Sequence, residues 1–137
     1  MDKQSDFDRL LFLEEPRNTF DRLLFLEDAR KTSEVAYAEN PLDADNLTKW
    51  GNALLELSQF HNDNTFEAIK IIEEAVSKLK EALVVDPNKH NALWCLGNAY
   101  TAHAFLIPDQ NQAKDYFNKA SNCYYQTLDM VNFHDII

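Results

Sequence analysis

Ile69, Ile72, Val76, Leu79 and Leu83 recur at alternating steps of three and four, which puts them on one stripe of a helix. The limits of such stretches are marked by local chemistry. Asn40-Pro41 and Asp86-Pro87 are breaks, because the residue before a proline avoids the helical region. Asn64-x-x-Glu67 has the form of a capping box, and Pro108-Asp109-x-x-Gln112 is a start signal of the same kind. Together these signals predict five helices, at about 20–39, 43–59, 65–85, 89–105 and 110–131. The expected fold class is all-α.

The glycines organise this pattern. Only two occur, Gly51 and Gly97, 46 residues apart, and each heads the tripeptide Gly-Asn-Ala. Glycine weakens a helix, so one kept inside each of two helical stretches marks a close backbone approach. A fixed period of this kind predicts a helical repeat, and the positions suit a tetratricopeptide unit with each glycine as its eighth residue. Helix A then carries Leu47, Trp50, Gly51 and Leu54 in the first unit, and Leu93, Leu96, Gly97 and Tyr100 in the second. Helix B of the first unit supplies Ala75, Leu79 and Ala82 and closes at Pro87. The second supplies Ala120 and Tyr124, but Thr127 and Asn132 stand where Ala and Pro are expected. A standard unit is about 34 residues long. The surplus therefore falls between helices A and B, at 59–65 and 105–110, and in longer helices B.

Near the N-terminus, Phe7-Asp8-Arg9-Leu10-Leu11-Phe12-Leu13-Glu14 recurs unchanged as Phe20-Asp21-Arg22-Leu23-Leu24-Phe25-Leu26-Glu27. A thirteen-residue shift turns a helix by about 220°, so one continuous helix would show the two copies on different faces. Pro16 would interrupt it in any case. The second copy is expected to lead into the repeats, and the first to be a loosely packed tandem duplicate. Its Phe7, Leu10 and Leu11 also form a pattern suited to a groove of this chain or of a neighbour. The expected organisation is an extra segment at 1–19, a tetratricopeptide-like domain of two helix pairs plus an N-terminal helix at 20–131, and a tail at 132–137.

Composition narrows the function. Twenty-three acidic against 13 basic residues give a net charge of −10, which argues against nucleic acid, since phosphate binding needs clustered Lys and Arg. Twelve of the acids lie in the first 45 residues, so the negative region centres near the N-terminal helix. Cys95 and Cys123 form no C-x-x-C and read as reduced, buried thiols. No secretory leader is evident, and no run approaches the roughly 18 apolar residues that span a bilayer. His61, His90, His103 and His134 are scattered, without a metalloprotease, nucleophile-elbow or phosphate-loop motif, and each reads as a surface or helix-end residue. Glu73-Glu74 reads as an exposed helix edge. No enzyme activity, cofactor or metal is expected.

Several longer stretches are more specific than repeat positions. They include Asn40-Pro41-Leu42-Asp43-Ala44-Asp45-Asn46-Leu47-Thr48, Leu54-Leu55-Glu56-Leu57-Ser58-Gln59-Phe60 and Ala92-Leu93-Trp94-Cys95-Leu96-Gly97-Asn98-Ala99. With Phe20-Asp21-Arg22-Leu23-Leu24-Phe25, they resemble the plant-type presequence receptor of the mitochondrial outer-membrane translocase, over about residues 20–127. The resemblance implies a receptor on the cytosolic face of the mitochondrial outer membrane. Its partners would be precursor proteins with basic amphipathic presequences and the other translocase subunits. Family members carry a C-terminal hydrophobic anchor. Here Met130-Val131-Asn132-Phe133-His134-Asp135-Ile136-Ile137 departs from that pattern, so membrane attachment is expected only with an anchor outside this sequence.

Presequences are Arg-rich and amphipathic, so their receptor needs an apolar groove and tolerates negative charge at its rim. In tetratricopeptide folds helix A lines the concave wall. Helical spacing from the glycines places Asp45, Thr48, Asn52, Leu55 and Glu56 there in the first unit, and Asn91, Trp94, Asn98, Thr101 and Ala102 in the second. The candidate peptide-binding residues are Thr48, Asn52, Leu55, Glu56, Trp94, Asn98 and Thr101. The rival function is a co-chaperone or adaptor that holds the acidic tail of a chaperone. Such clamps use Lys and Arg with Asn. Thr48, Asn91, Trp94 and Cys95 occupy the positions where the basic residues belong, which disfavours that reading.

Overall fold

The computed structural model describes residues 18–61 and 63–136. Within them the chain forms α1 (Thr19–Glu39), α2 (Ala44–Ser58), α3 (Thr65–Val85), α4 (His90–Leu106) and α5 (Gln110–Ile136), with one 3₁₀ turn at Gln59–His61. The first copy of the duplicated segment, with its Phe7, Leu10 and Leu11 pattern and Pro16, lies outside the described residues.

The helix limits follow from side-chain caps. Asn18, Asp43 and Asn64 each precede a helix and accept the backbone N–H three residues on, at 2.8, 3.2 and 3.2 Å. These bonds satisfy donors that a helix start leaves without intrahelical partners. The predicted capping box at Asn64 forms only this arm. The Asn64 N–H is already given to the His61 carbonyl at 2.9 Å, which leaves no donor for the Glu67 side chain. Asp109 accepts from the Asn111 N–H at 2.9 Å and opens α5. Both Asn-Pro and Asp-Pro breaks end helices where expected. One limit differs: α5 runs to Ile136 rather than stopping near 131, because no glycine or proline follows Pro108 to interrupt it. Helix thus continues through most of the stretch expected to be a separate tail.

Successive helices pack against each other, and α2 also touches α4. The two A helices, α2 and α4, form an inner layer, with α1, α3 and α5 outside. The core holds the positions expected of a repeat: Leu47, Trp50 and Leu54 on α2, Leu93, Leu96 and Tyr100 on α4, and Ala120 on α5. Ala75, Leu79 and Ala82 of α3 have no exposed surface. The 46-residue period is absorbed mainly by the outer helices, since α3 has 21 residues against 15 in α2.

Both glycines are sites of close approach. A Cβ on Gly51 would lie 2.5 Å from Leu79 Cγ, and one on Gly97 would lie 2.6 Å from the Tyr124 ring. Helix pairs α2/α3 and α4/α5 are therefore in contact at points where no side chain fits.

Helix α1 is held differently. Among its residues only Leu26 and Ser33 are buried, and Leu26 sits against Ala53 and Leu57 with Leu23 and Phe60 alongside. Polar contacts supply the rest. Arg22 pairs with Glu56, Asn46 donates to the Ser33 carbonyl at 2.9 Å, and the Tyr37 hydroxyl donates to Glu81 at 2.8 Å. Lys78 joins this last cluster, 3.1 Å from Glu81 and over the rings of Trp50 and Tyr37 at 4.4 and 4.6 Å.

Two expectations about single residues are corrected. His103 is buried, stacked on Tyr116 at 4.1 Å, because helix α4 turns it toward α5 rather than outward. Burial holds its pKa below the ordinary value, outweighing Glu73 nearby. Cys95 is only half-buried, while Cys123 is buried; both thiols are free. Among the described residues no helix is long and apolar enough to cross a membrane.

Two predictions concern stability. Gly51→Ala gains up to about 1 kcal/mol of helix propensity but must displace a fully buried Leu79, a clash that costs about 1–3 kcal/mol. Urea unfolding is expected to show net destabilisation. Burial raises the Glu81 pKa, but hydrogen bonds from Tyr37 and Lys78 outweigh it and leave the carboxyl below its usual value. A lowered folded pKa stabilises above the ordinary glutamate value of about 4.3 and is lost as pH falls through the folded value. The melting temperature of the native chain is therefore expected to fall more steeply in that acid window than that of Glu81→Gln.

Candidate functional site

A groove of about 450 Å³ opens between the inner helices. Helix α2 contributes Thr48 and Asn52, one turn apart, and Lys49 beside Thr48. Helix α4 contributes His90, Asn91, Trp94 and Cys95, and Thr127 of α5 closes one side.

Trp94 is the dominant feature. A core residue of this size is normally hidden, yet it is 49% exposed. Its ring rests on Tyr124 of α5, centroids 4.8 Å apart. The Tyr124 hydroxyl donates to Asn98 Oδ1 at 2.7 Å and lies 3.2 Å from the Thr101 hydroxyl. Tyr124 occupies this place because Gly97 leaves it room. The sequence Gly97-Asn98, with Thr101 one turn on, thus builds a socket for one aromatic ring, and that ring supports a second at the groove surface.

The candidate residues separate into distinct places. Thr48, Asn52 and Trp94 line the groove together. Asn98 and Thr101 do not line it; they hold Tyr124 behind Trp94. Leu55, expected on the wall, is 7% exposed and belongs to the core, since it turns away from the groove toward the helix interface. Glu56 is half-buried and engaged by Arg22 of α1. The two repeat asparagines are therefore unlike: Asn52 is exposed, its Oδ1 3.9 Å from the Cys95 thiol, whereas Asn98 is bound to Tyr124.

Sequence reasoning missed Lys49, His90 and Thr127 as groove residues and Tyr124 as its support. Thr127 was visible only as a departure from Ala in helix B. The signal for Tyr124 was Gly97, read as a close approach without its aromatic consequence. Electrostatically the lining carries no carboxylate. Asp45 at the edge pairs with Lys89, whose hydrogen bond and charge hold the Asp45 pKa below its ordinary value. Burial and then Glu56 raise the Cys95 thiol, so it is protonated at neutral pH and not a nucleophile. Among the described residues no group of three or more His, Cys, Asp or Glu is arranged to hold a metal.

These features define a tetratricopeptide-like helical-repeat protein with an aromatic groove between its inner helices. Residues 20–133 match the family described as "Plant specific mitochondrial import receptor subunit TOM20", and the chain belongs to it. It is 52% identical over 129 residues to mitochondrial import receptor subunit TOM20-3 of Arabidopsis thaliana, covering 94% of this chain and 56% of that protein. It is 54% identical over 122 residues to subunit TOM20-2 of the same plant, covering 89% and 50%. The chain spans about half the length of these curated relatives.

One prediction follows from the socket. Tyr124→Ala removes the ring beneath Trp94, so Trp94 fluorescence is expected to shift to longer wavelength as water reaches both indole faces. Trp50 is buried against Tyr37 and Lys78 and serves as the unchanged background. A spectrum identical to that of the native chain would mean that Tyr124 does not position Trp94.

Proposed function

We propose that this chain is the receptor domain of a mitochondrial import receptor, and that it binds basic amphipathic presequences of precursor proteins in the groove between α2 and α4. The observation that carries this reading is the half-exposed Trp94 seated on Tyr124 between amide side chains. A preorganised aromatic surface takes up the apolar face of an amphipathic helix at low entropic cost, and flanking Asn52 and Asn91 bond its polar edge. Family membership supports the same assignment, as its relatives are named import receptor subunits.

Charge acts at longer range. Because Asp45 and Glu56 are already paired with Lys89 and Arg22, the groove itself does not select for arginine. The net charge of −10, with Asp21, Glu27, Asp28, Glu34 and Glu39 along α1, attracts a cationic peptide and raises its encounter rate. In this reading the domain works at the cytosolic face of the outer membrane, among the other translocase subunits, and hands precursors to the import pore. The contacts are Thr48, Asn52, Asn91, Trp94 and Thr127. Leu55 acts through core packing, and Asn98 and Thr101 act through Tyr124.

An amide-shift NMR titration tests this, using a basic amphipathic presequence peptide and a scrambled peptide of equal charge. Saturable shifts around Asn52, Asn91 and Trp94 with the first peptide alone are expected. Trp94→Ala is expected to weaken binding by about tenfold or more, as for a central aromatic anchor. Equal weak shifts from both peptides would reduce the interaction to charge attraction and overturn the groove assignment.

A further inference from the structure

A second groove, larger at about 750 Å³, runs along the outer face between α3 and α5, with α4 as its floor. It explains why the apolar stripe of α3 is only partly buried. Ile72 and Leu79 turn into the core, while Ile69 and Val76 stand at its edge and line this groove.

Its ends differ chemically. At one end Ile69 of α3 meets Leu106 and Ile107 at the close of α4. Lys80 of α3 stands toward the other, and Lys119 of α5 faces the same cleft partway along it, near His103. Lys119 is held over the Tyr116 ring at 4.9 Å, and Tyr116 is itself stacked on His103. Ion pairs among the described residues engage Arg22, Arg30, Lys78 and Lys89; Lys80 and Lys119, like Lys31, Lys49, Lys70 and Lys114, are in none. In a chain of net charge −10, two lysines without carboxylate partners converge on one groove. Glu73 lies between the two ends. It repels acids on the Ile69 side of Lys119 and so favours them between Lys119 and Lys80.

We infer that this outer groove docks an acidic amphipathic helix of a partner protein, with apolar side chains against Ile69, Leu106 and Ile107 and carboxylates between Lys80 and Lys119. Eleven helical positions separate Ile69 from Lys80, about 16 Å, so the segment is about three turns long with its acids at one end. Charge complementarity sets both its sign and its direction. The inner groove has Lys49 alone beside its tryptophan surface, and so supplies only one of the two lysines that hold such a segment. The receptor thereby keeps one face for a cationic cargo and the opposite face for an anionic partner, and both can be filled at once.

The test uses the full chain and a synthetic helical peptide about three turns long. The peptide has a Leu/Phe stripe and glutamates in its last turn, and its control carries lysines in their place. Binding is read by fluorescence anisotropy and amide shifts. The acidic peptide is expected to bind with shifts at Ile69 and Tyr116 and to weaken as salt rises. Lys80→Glu with Lys119→Glu is expected to reduce its affinity by about tenfold or more. Both lysines are exposed, so these variants keep the fold. Saturating presequence peptide is expected to leave this binding unchanged, which separates it from the inner groove. Equal binding of both peptides, shifts centred on Trp94, or indifference to the charge reversal would each overturn the inference. So would a gain in affinity from Leu10→Asp, which would make the chain's own first copy the occupant.

Discussion

The structure depends on two places where helices meet without a side chain between them. At Gly51 the backbone of α2 lies against Leu79, and at Gly97 that of α4 lies against Tyr124. The first contact closes the core of the first repeat, where Leu79 has no exposed surface. The second has a different product. The space left by the missing side chain is filled by an aromatic ring, and that ring carries Trp94 to the protein surface. One repeated constraint thus yields packing in one unit and a binding surface in the other.

Helix α1 shows the opposite strategy. It presents few buried apolar residues and keeps several large ones outside, including Phe20 and Leu24. Specific polar contacts locate it instead: Arg22 with Glu56 near one end, and Tyr37 with Glu81 and Lys78 near the other. Half-exposed pairs of this kind add modest stability but define register well. They also have an electrical effect, because the α1 arginine occupies the glutamate expected to serve the inner groove. The inner groove is left aromatic and amide-lined with a single lysine, Lys49, while the outer one carries two, Lys80 and Lys119.

Much of this was legible in the chain. Asn18 and Asp43 apart, the caps and breaks were readable as local signals, since a cap bonds to a backbone only two or three residues away. The repeat period located Leu47, Trp50, Leu93, Ala75 and Ala82 in the core, because burial on a helix follows its own periodicity. The candidate site was legible only in part. Thr48, Asn52 and Trp94 share a groove as expected, but Leu55 turned inward and Glu56 was claimed by a helix 34 residues earlier in the chain. Asn52 and Asn98 occupy equivalent repeat positions and differ only because Tyr124 reaches one of them. His103 was read as a surface or helix-end residue; it does lie in the last turn of α4, but its burial was not legible because its neighbour Tyr116 is on another helix.

The sequence by itself determined the helices, their limits except the end of α5, the repeat period and the positions that need a glycine, since each depends on contacts within a few turns of the same chain. Tertiary structure alone decided which polar side chains stayed free and which were consumed by partners. It also decided that Trp94 faces solvent on a tyrosine and that Lys80 and Lys119 share a groove. The physical reason is that a helix fixes the direction of its own side chains, whereas their availability depends on what another helix, distant in sequence, brings against them.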